Sequence, residues 1–154
     1  MATKLKPAEL RAWRAFLDAQ ASLLRRLGAD LIKEEDITLP EYDVLVQLNF
    51  APDGRLRMTE LSERVRLSPS GLTRLVDRLV RSGLVKRGRC ASDRRGTNAI
   101  LTSAGKVRLR RASPVHLRGI REHFSKRLSS AQLAAVAEAL EPLGRDMPRG
   151  VSSD

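Results

Sequence analysis

The chain of 154 residues has one cysteine, two histidines and five aromatic side chains. A lone cysteine excludes a disulfide framework and a multi-cysteine zinc site. So few histidines and cysteines leave little for acid–base or nucleophilic chemistry. There is also no glycine-rich phosphate loop, no His-Glu-x-x-His and no Gly-x-Ser-x-Gly. An enzyme is therefore not expected, and neither a cofactor nor a metal is expected. No run of about 18 apolar residues occurs, so no membrane partner is expected. Met1-Ala2-Thr3-Lys4-Leu5-Lys6 leads into a charged segment without an apolar stretch, which predicts no secretory signal and a cytoplasmic location. With 42% hydrophobic residues the chain can build a core, and its length suits one compact unit.

Positive charge is abundant, and it is unevenly placed. The net charge is +11. Residues 55–111 carry sixteen Lys/Arg against four Asp/Glu, whereas the rest carries thirteen against fourteen. A general solubility effect would not leave both flanks neutral, so the block points to a polyanion, most often nucleic acid. The five aromatics, Trp13, Phe16, Tyr42, Phe50 and Phe124, all lie outside that block. Readers of single strands stack bases on rings. A segment without rings fits duplex DNA, held through phosphates and a helix in the major groove.

Periodicity predicts a mainly α chain. Residues 7–33 read as a long helix, with Pro7 in its first turn and the acidic run Glu34-Glu35-Asp36 ending it. Thr38 to Phe50 reads as a second helix, followed by the turn Ala51-Pro52-Asp53-Gly54. Met58 to Val65 is a short helix with Thr59 as its cap. Ser68-Pro69 then starts a helix to about Ser82 that buries Leu72, Leu75, Val76 and Leu79, with Gly83 after its end. Strands are expected at 84–89 and 97–101, joined by the polar, basic stretch Cys90 to Gly96. Thr102 caps a helix to about Phe124, which Pro114 should kink or interrupt. Ser129 or Ser130 caps a last helix, with Leu133, Val136, Ala137, Leu140 and Leu143 on one face.

Two short helices, a tight turn and a β-hairpin in succession make a winged helix-turn-helix. Its second helix would present N-terminal residues to base edges. The stripe opposite the apolar one is Ser70, Thr73, Arg74, Asp77, Arg78 and Arg81. Hydroxyls bond several bases, and arginine grips guanine in a two-bond fork. The amides from Ser68 to Gly71 suit a phosphate. An ordinary solvated helix would explain this stripe alone, but not the basic hairpin beside it, where Arg87 and Arg89 are added.

Met58-Thr59-Glu60-Leu61-Ser62-Glu63-Arg64-Val65, Leu67-Ser68-Pro69-Ser70-Gly71-Leu72-Thr73-Arg74-Leu75-Val76-Asp77-Arg78-Leu79 and Ser82-Gly83-Leu84-Val85 together resemble the DNA-binding region of the MarR family of transcriptional regulators. The run Asp93-Arg94-Arg95-Gly96, followed by Leu101-Thr102, resembles that family's wing signature. The resemblance covers nearly the whole chain. It implies a winged helix-turn-helix with flanking N- and C-terminal dimerisation helices, in three parts: residues 1–35, 36–102 and 103–154. It implies a homodimeric regulator, a repressor in most such proteins, on a pseudo-palindromic operator in double-stranded DNA. Leu10, Trp13, Leu17, Leu128, Leu133, Val136 and Leu140 would then face the second subunit. It further implies that Arg94 or Arg95 reaches a minor groove and that Asp77 pairs with Arg95 to orient the wing. Pairing of Asp77 with Arg74 or Arg81 on its own helix is the alternative.

Other residues carry weaker signals. Many family members hold an aromatic ligand between their dimer and DNA-binding parts, which makes Phe16, Tyr42 and Phe50 candidates for a pocket taking a small phenolic or other aromatic effector. Core or dimer packing is the plainer role for them. Cys90 has basic neighbours that would make its thiol reactive, yet redox members keep their sensing cysteine in the first helix, where this chain has none. His116 and His123 share a helical face, but no further ligand accompanies them. A sequence-indifferent architectural DNA binder would use the same basic block, and a winged helix used only for protein contacts is a third reading.

Overall fold

A computed structural model describes residues 4–90 and 93–144, without the side chains of residues 90 and 93–95. The described elements are α1 (Pro7–Glu35), α2 (Leu39–Phe50), β1 (Arg55–Arg57), α3 (Met58–Val65), α4 (Pro69–Arg81), β2 (Val85–Cys90), β3 (Asp93–Leu101), α5 (Ser103–His123) and α6 (Ser130–Gly144). This is a mainly α winged helix-turn-helix with long helices on either side, as the element order predicts.

Local chemistry explains most boundaries. Thr38 caps α2 in a reciprocal box with Glu41: the Glu41 amide donates to Thr38 Oγ1 at 3.3 Å, and the Thr38 amide donates to Glu41 Oε2 at 2.9 Å. Ser68 caps α4 by accepting from the Gly71 amide at 3.2 Å, with Pro69 in the first turn. Thr102 caps α5 by accepting from the Gly105 amide at 3.0 Å, and Ser129 pairs with Gln132 in the same way before α6. Between α3 and α4 the chain turns on Arg66, whose φ of 57° is left-handed. The Ser62 hydroxyl holds that turn by donating to the Leu67 carbonyl at 2.6 Å. Gly83, at φ 72°, reverses the chain from α4 into β2.

Four boundaries differ from expectation. The strand β1 is absent from the sequence reading, because Arg-Leu-Arg has no apolar alternation to detect. It exists because β3 offers it a ladder (Arg55↔Ile100, Leu56↔Ala99, Arg57↔Asn98) and because Leu56 drops into the core. The sheet order is β1-β3-β2. Since β1 leads straight into α3, the N-cap position of that helix is Arg57 and not Thr59, and no side-chain cap bond is made there. The strand β3 begins at Asp93, so the hairpin tip is shorter than the polar stretch 90–96; backbone pairing does not require apolar side chains. Pro114 does not interrupt α5, which continues from Ser103 to His123. Pro114 sits on the exposed side, while its neighbours Ala112 and Val115 are buried against the body.

One continuous core joins these parts. Val44, Leu45 and Leu48 of α2, Leu61 of α3, the four predicted residues of α4, and Val85, Ala99 and Leu101 of the sheet are all buried. Leu109, Ala112 and Val115 bring α5 onto the same core. The C-terminal half of α1 crosses α5 closely at Gly119, where an added Cβ would lie 2.7 Å from Leu27. Polar stitches follow along that crossing: Arg118 to Glu34, Arg111 to Glu35 at 3.1 Å, and His123 to Asp30 at 2.9 Å. By contrast, α1 before residue 22 is almost wholly exposed, and α6 contains no buried residue.

Gly105 marks where α5 presses on the sheet. A Cβ there would sit 2.2 Å from the Leu84 carbonyl oxygen and 2.6 Å from Leu101 Cδ1. Backbone cannot swing aside as a side chain can, so overpacking should outweigh the roughly 1 kcal/mol by which alanine is the better helix former. Gly105→Ala is expected to lower the stability by about 1–3 kcal/mol. That corresponds to roughly 2–4 °C in Tm per kcal/mol for a chain of this size. Thermal denaturation of the variant beside the wild type measures it; an unchanged or raised Tm would contradict this packing.

Candidate nucleic-acid interface

The helix α4 sorts its residues by chemistry. Leu72, Leu75, Val76 and Leu79 are each 2% exposed or less. Ser70, Thr73, Arg74, Arg78 and Arg81 are exposed, and Asp77 is half-buried. The periodicity of about 3.6 residues turns one sequence into two faces. Because the apolar face is locked into the core, the polar face has a fixed direction. Ser68, Ser70 and Gly71 stand at its N-terminal end, where the helix dipole favours an anion, although Pro69 has no amide hydrogen and the Gly71 amide is taken by the Ser68 cap. The Thr73 hydroxyl donates to the Pro69 carbonyl at 2.9 Å, which commits its proton and leaves the oxygen as an acceptor.

The wing is tied to this helix by one described ion pair. Arg87 of β2 donates through Nη2 to Asp77 Oδ1 at 2.8 Å. Asp77 of α4 therefore has a partner on the wing strand β2. The described partner is Arg87, however; the side chains of Asp93, Arg94 and Arg95 lie outside the described residues, as does that of Cys90. Arg89 is exposed on β2. On the other flank of α4, Arg78 Nε lies 3.5 Å from Glu41 Oε1 of α2. Nothing in the sequence pattern signals Glu41, because 37 residues separate the partners and only the fold brings them together.

The aromatic candidates do not converge on a pocket. Tyr42 is buried, donates to Ser113 Oγ at 3.4 Å and stacks on His116 with centroids 4.7 Å apart. Burial raises the Tyr42 hydroxyl above its ordinary value and lowers the His116 imidazole below its own, so both favour the neutral form. Phe16 and Phe50 are exposed, at 40% and 49%. His123 is engaged by Asp30, so the two histidines serve different contacts. A cleft of about 470 Å³ opens elsewhere, between α2 and α5, lined by Asn49, Lys106, Leu109, Arg110, Ser113 and neighbouring α5 residues. None of the three aromatics lines it. A second cleft of about 260 Å³, between α1 and the end of α5, is wholly apolar and does not include them either.

The residues expected at a subunit interface lie on uncovered surface. Trp13 is 54% exposed, with its ring 6.1 Å from that of Phe16. Leu17 and Leu140 are also exposed, and Leu10, Leu128, Leu133 and Val136 are half-buried. Among the described residues, no helix is long and apolar enough to cross a membrane.

A helix-turn-helix with a wing on one side and long helices on the other defines a class of transcriptional regulators, and this chain belongs to the MarR family. Residues 35–96 match the MarR family model. The HTH-type transcriptional repressor Rv2887 of Mycobacterium tuberculosis is 30% identical over 131 residues, which are 80% of this chain and 92% of that protein. The HTH-type transcriptional repressor YetL of Bacillus subtilis is 34% identical over 107 residues; the match takes in 70% of this chain but only 56% of YetL's length. The crystal structure of Sco3205, a MarR family transcriptional regulator from Streptomyces coelicolor in complex with DNA, is similar with a TM-score of 0.88 at 33% identity. That likeness covers 95% of this chain and 91% of that one. The relatives are regulators, not enzymes, in agreement with the poverty of catalytic residues.

The two polar features of α4 should contribute differently to stability. Asp77 and Arg87 are both about a third exposed or more, so the pair is screened. Arg87→Ala is expected to change folding stability by less than about 1 kcal/mol. Ser68→Ala removes a helix cap and should lower it by about 0.5–2 kcal/mol. Denaturant titration of both variants checks this; a loss of several kcal/mol in Arg87→Ala would mean that the wing pair holds the fold together.

Proposed function

We propose that the chain is a sequence-specific transcriptional repressor that binds a pseudo-palindromic operator in double-stranded DNA as a homodimer. The observation that carries the reading is the outward stripe of α4, polar and cationic, fixed by its buried stripe and joined to a basic wing. In the major groove, Ser70, Thr73 and Arg74 would meet base edges, with the Ser70 amide and the positive end of the α4 dipole turned to a phosphate. Arg78 stands one turn further along. Arg87, Arg89 and the arginines of the tip, Arg94 and Arg95, would supply the wing's contacts, with Asp93 beside them. Residues 36–102 form the DNA-binding part in this reading.

The homodimer accounts for surface that is otherwise unexplained. Trp13 and Leu17 on α1 and Leu140 on α6 are exposed, and Leu10, Leu133 and Val136 are only half-buried within one chain. Large apolar side chains left exposed on two helices suit an interface. Residues 1–35 and 103–154 would pair the subunits, setting two copies of α4 about 34–36 Å apart, one turn of duplex.

A small-molecule effector fits the cleft between α2 and α5 better than the aromatic trio. Lys106 and Arg110 supply cations, Asn49 and Ser113 supply hydrogen bonds, and Leu109 and Leu117 supply an apolar wall. That set suits a small aromatic or phenolic anion, whose binding would bias the spacing of the two lobes.

The architectural reading shares the basic block, and the ratio of specific to random binding separates the two. A repressor should favour its own promoter by roughly 10³ or more over random duplex at fixed salt. Arg74→Ala should weaken specific binding by about 1–3 kcal/mol and relax base preference. Competition gel shifts measure both. A ratio near one for the wild type would overturn the repressor, and no salt-dependent binding at all would favour a winged helix that contacts only protein.

A further inference from the structure

The ion pair between Arg78 and Glu41 has a consequence for how the recognition helix discriminates, and it rests on the DNA-binding reading above. Glu41 is a held anion. Its Oε2 accepts from the Thr38 amide at 2.9 Å and from the Thr38 hydroxyl at 2.8 Å, and its side chain is only 16% exposed. The remaining oxygen, Oε1, faces Arg78 Nε at 3.5 Å. Arg78 is the more exposed partner, at 51% on a long side chain. Two opposing demands therefore meet at Arg78: Glu41 draws it toward α2, and a DNA phosphate would draw it outward.

Electrostatics makes this competition selective. Any duplex presents phosphates to the basic face of α4, so an unrestrained arginine strengthens binding to every sequence alike. A tethered arginine leaves its carboxylate only when the gain on DNA exceeds the pair's own strength. That gain is largest where the protein is docked in register and the helix lies deep in the groove. The carboxylate also adds a fixed negative charge beside the DNA-facing stripe, and repulsion of this kind discriminates against loosely docked duplex. The neighbouring residue Asp77 is tied to Arg87 of the wing. Consecutive positions of α4 are thus tethered to opposite flanks.

We propose that Glu41 is a specificity-determining positioning residue, which holds Arg78 of the recognition helix and withholds its charge from non-matching DNA. The capping box supplies a clean substitution. Glutamine at the third helical position serves the box as glutamate does, so Glu41→Gln removes the charge while keeping the α2 cap.

The test is a double-mutant cycle of Glu41→Gln and Arg78→Ala in the full-length protein, read by fluorescence anisotropy on the protein's own promoter fragment and on random duplex of equal length. Glu41→Gln is expected to strengthen random-duplex binding and to reduce the specificity ratio about three- to fivefold, the size of one partly exposed ion pair. The slope of log affinity against log salt on random duplex should steepen by about one phosphate contact per subunit released. In the Arg78→Ala background the same substitution should leave the ratio unchanged. The proposal is overturned if Glu41→Gln leaves the ratio intact, or if it shifts the ratio equally with and without Arg78. Loss of folding is monitored by Tm, and Glu41→Asp, which keeps the charge on a shorter arm, provides a second variant expected to fall between glutamine and wild type. If the wild type itself shows no preference for its promoter, the repressor reading falls and this inference falls with it; a preference with an additive cycle overturns this inference alone.

Discussion

Everything at the DNA-facing surface depends on the burial of four side chains, Leu72, Leu75, Val76 and Leu79. They lie on one face of α4 and disappear into a core built by α2, α3 and the sheet. Each fully buried aliphatic side chain contributes about 1.5–3 kcal/mol relative to exposure. The helix is consequently unable to roll about its axis without surfacing leucine, and its opposite stripe is aimed. Direction matters more here than affinity: an arginine on a freely rotating helix would bind any phosphate, whereas one on an anchored helix meets a defined groove position. The cap at Ser68, the left-handed Arg66 and the Ser62–Leu67 hydrogen bond then fix where the helix begins.

The polar contacts refine that aim without supplying the stability. Asp77 reaches the wing and Arg78 reaches α2, so the outward face is guyed from two sides by pairs in which at least one partner is half-exposed. Such pairs hold geometry and tune charge while contributing little to folding. On the far side of the core, Tyr42 beneath α5 and the stitched crossing of α1 over α5 join the winged part to the long helices. The Tyr42 contact lies next to Glu41 on α2, the residue that meets Arg78 of α4. The chain's charge follows the same division: the basic block falls on the winged part and the opening of α5, while α6 and the first turns of α1 expose apolar and mixed surface.

Much of this was legible in the residues. The caps Ser68 and Thr102, Gly83 after α4 and the four buried positions of α4 each depend on local chemistry within a few residues, and local chemistry is what a sequence displays. Contacts that depend on topology were not. The strand β1 has one apolar residue and forms because β3 is adjacent. Arg57 takes the N-cap position in place of Thr59 because β1 runs directly into α3. Glu41 meets Arg78, and Arg87 meets Asp77, across separations without periodic signature. Pro114 would break an isolated helix, but α5 continues through it with Ala112 and Val115 buried on either side. The aromatic trio was grouped by chemistry alone, and the fold disperses it, burying Tyr42 while leaving Phe16 and Phe50 on the surface.

The central claim is that two anchored copies of α4 read two half-sites together. Hydroxyl-radical footprinting of the protein on its own promoter tests it most directly. The account predicts two protected patches related by a twofold axis, with centres about 10–10.5 base pairs or a multiple of that apart. Protection that is uniform and unpositioned along the fragment, or confined to a single half-site, would contradict it.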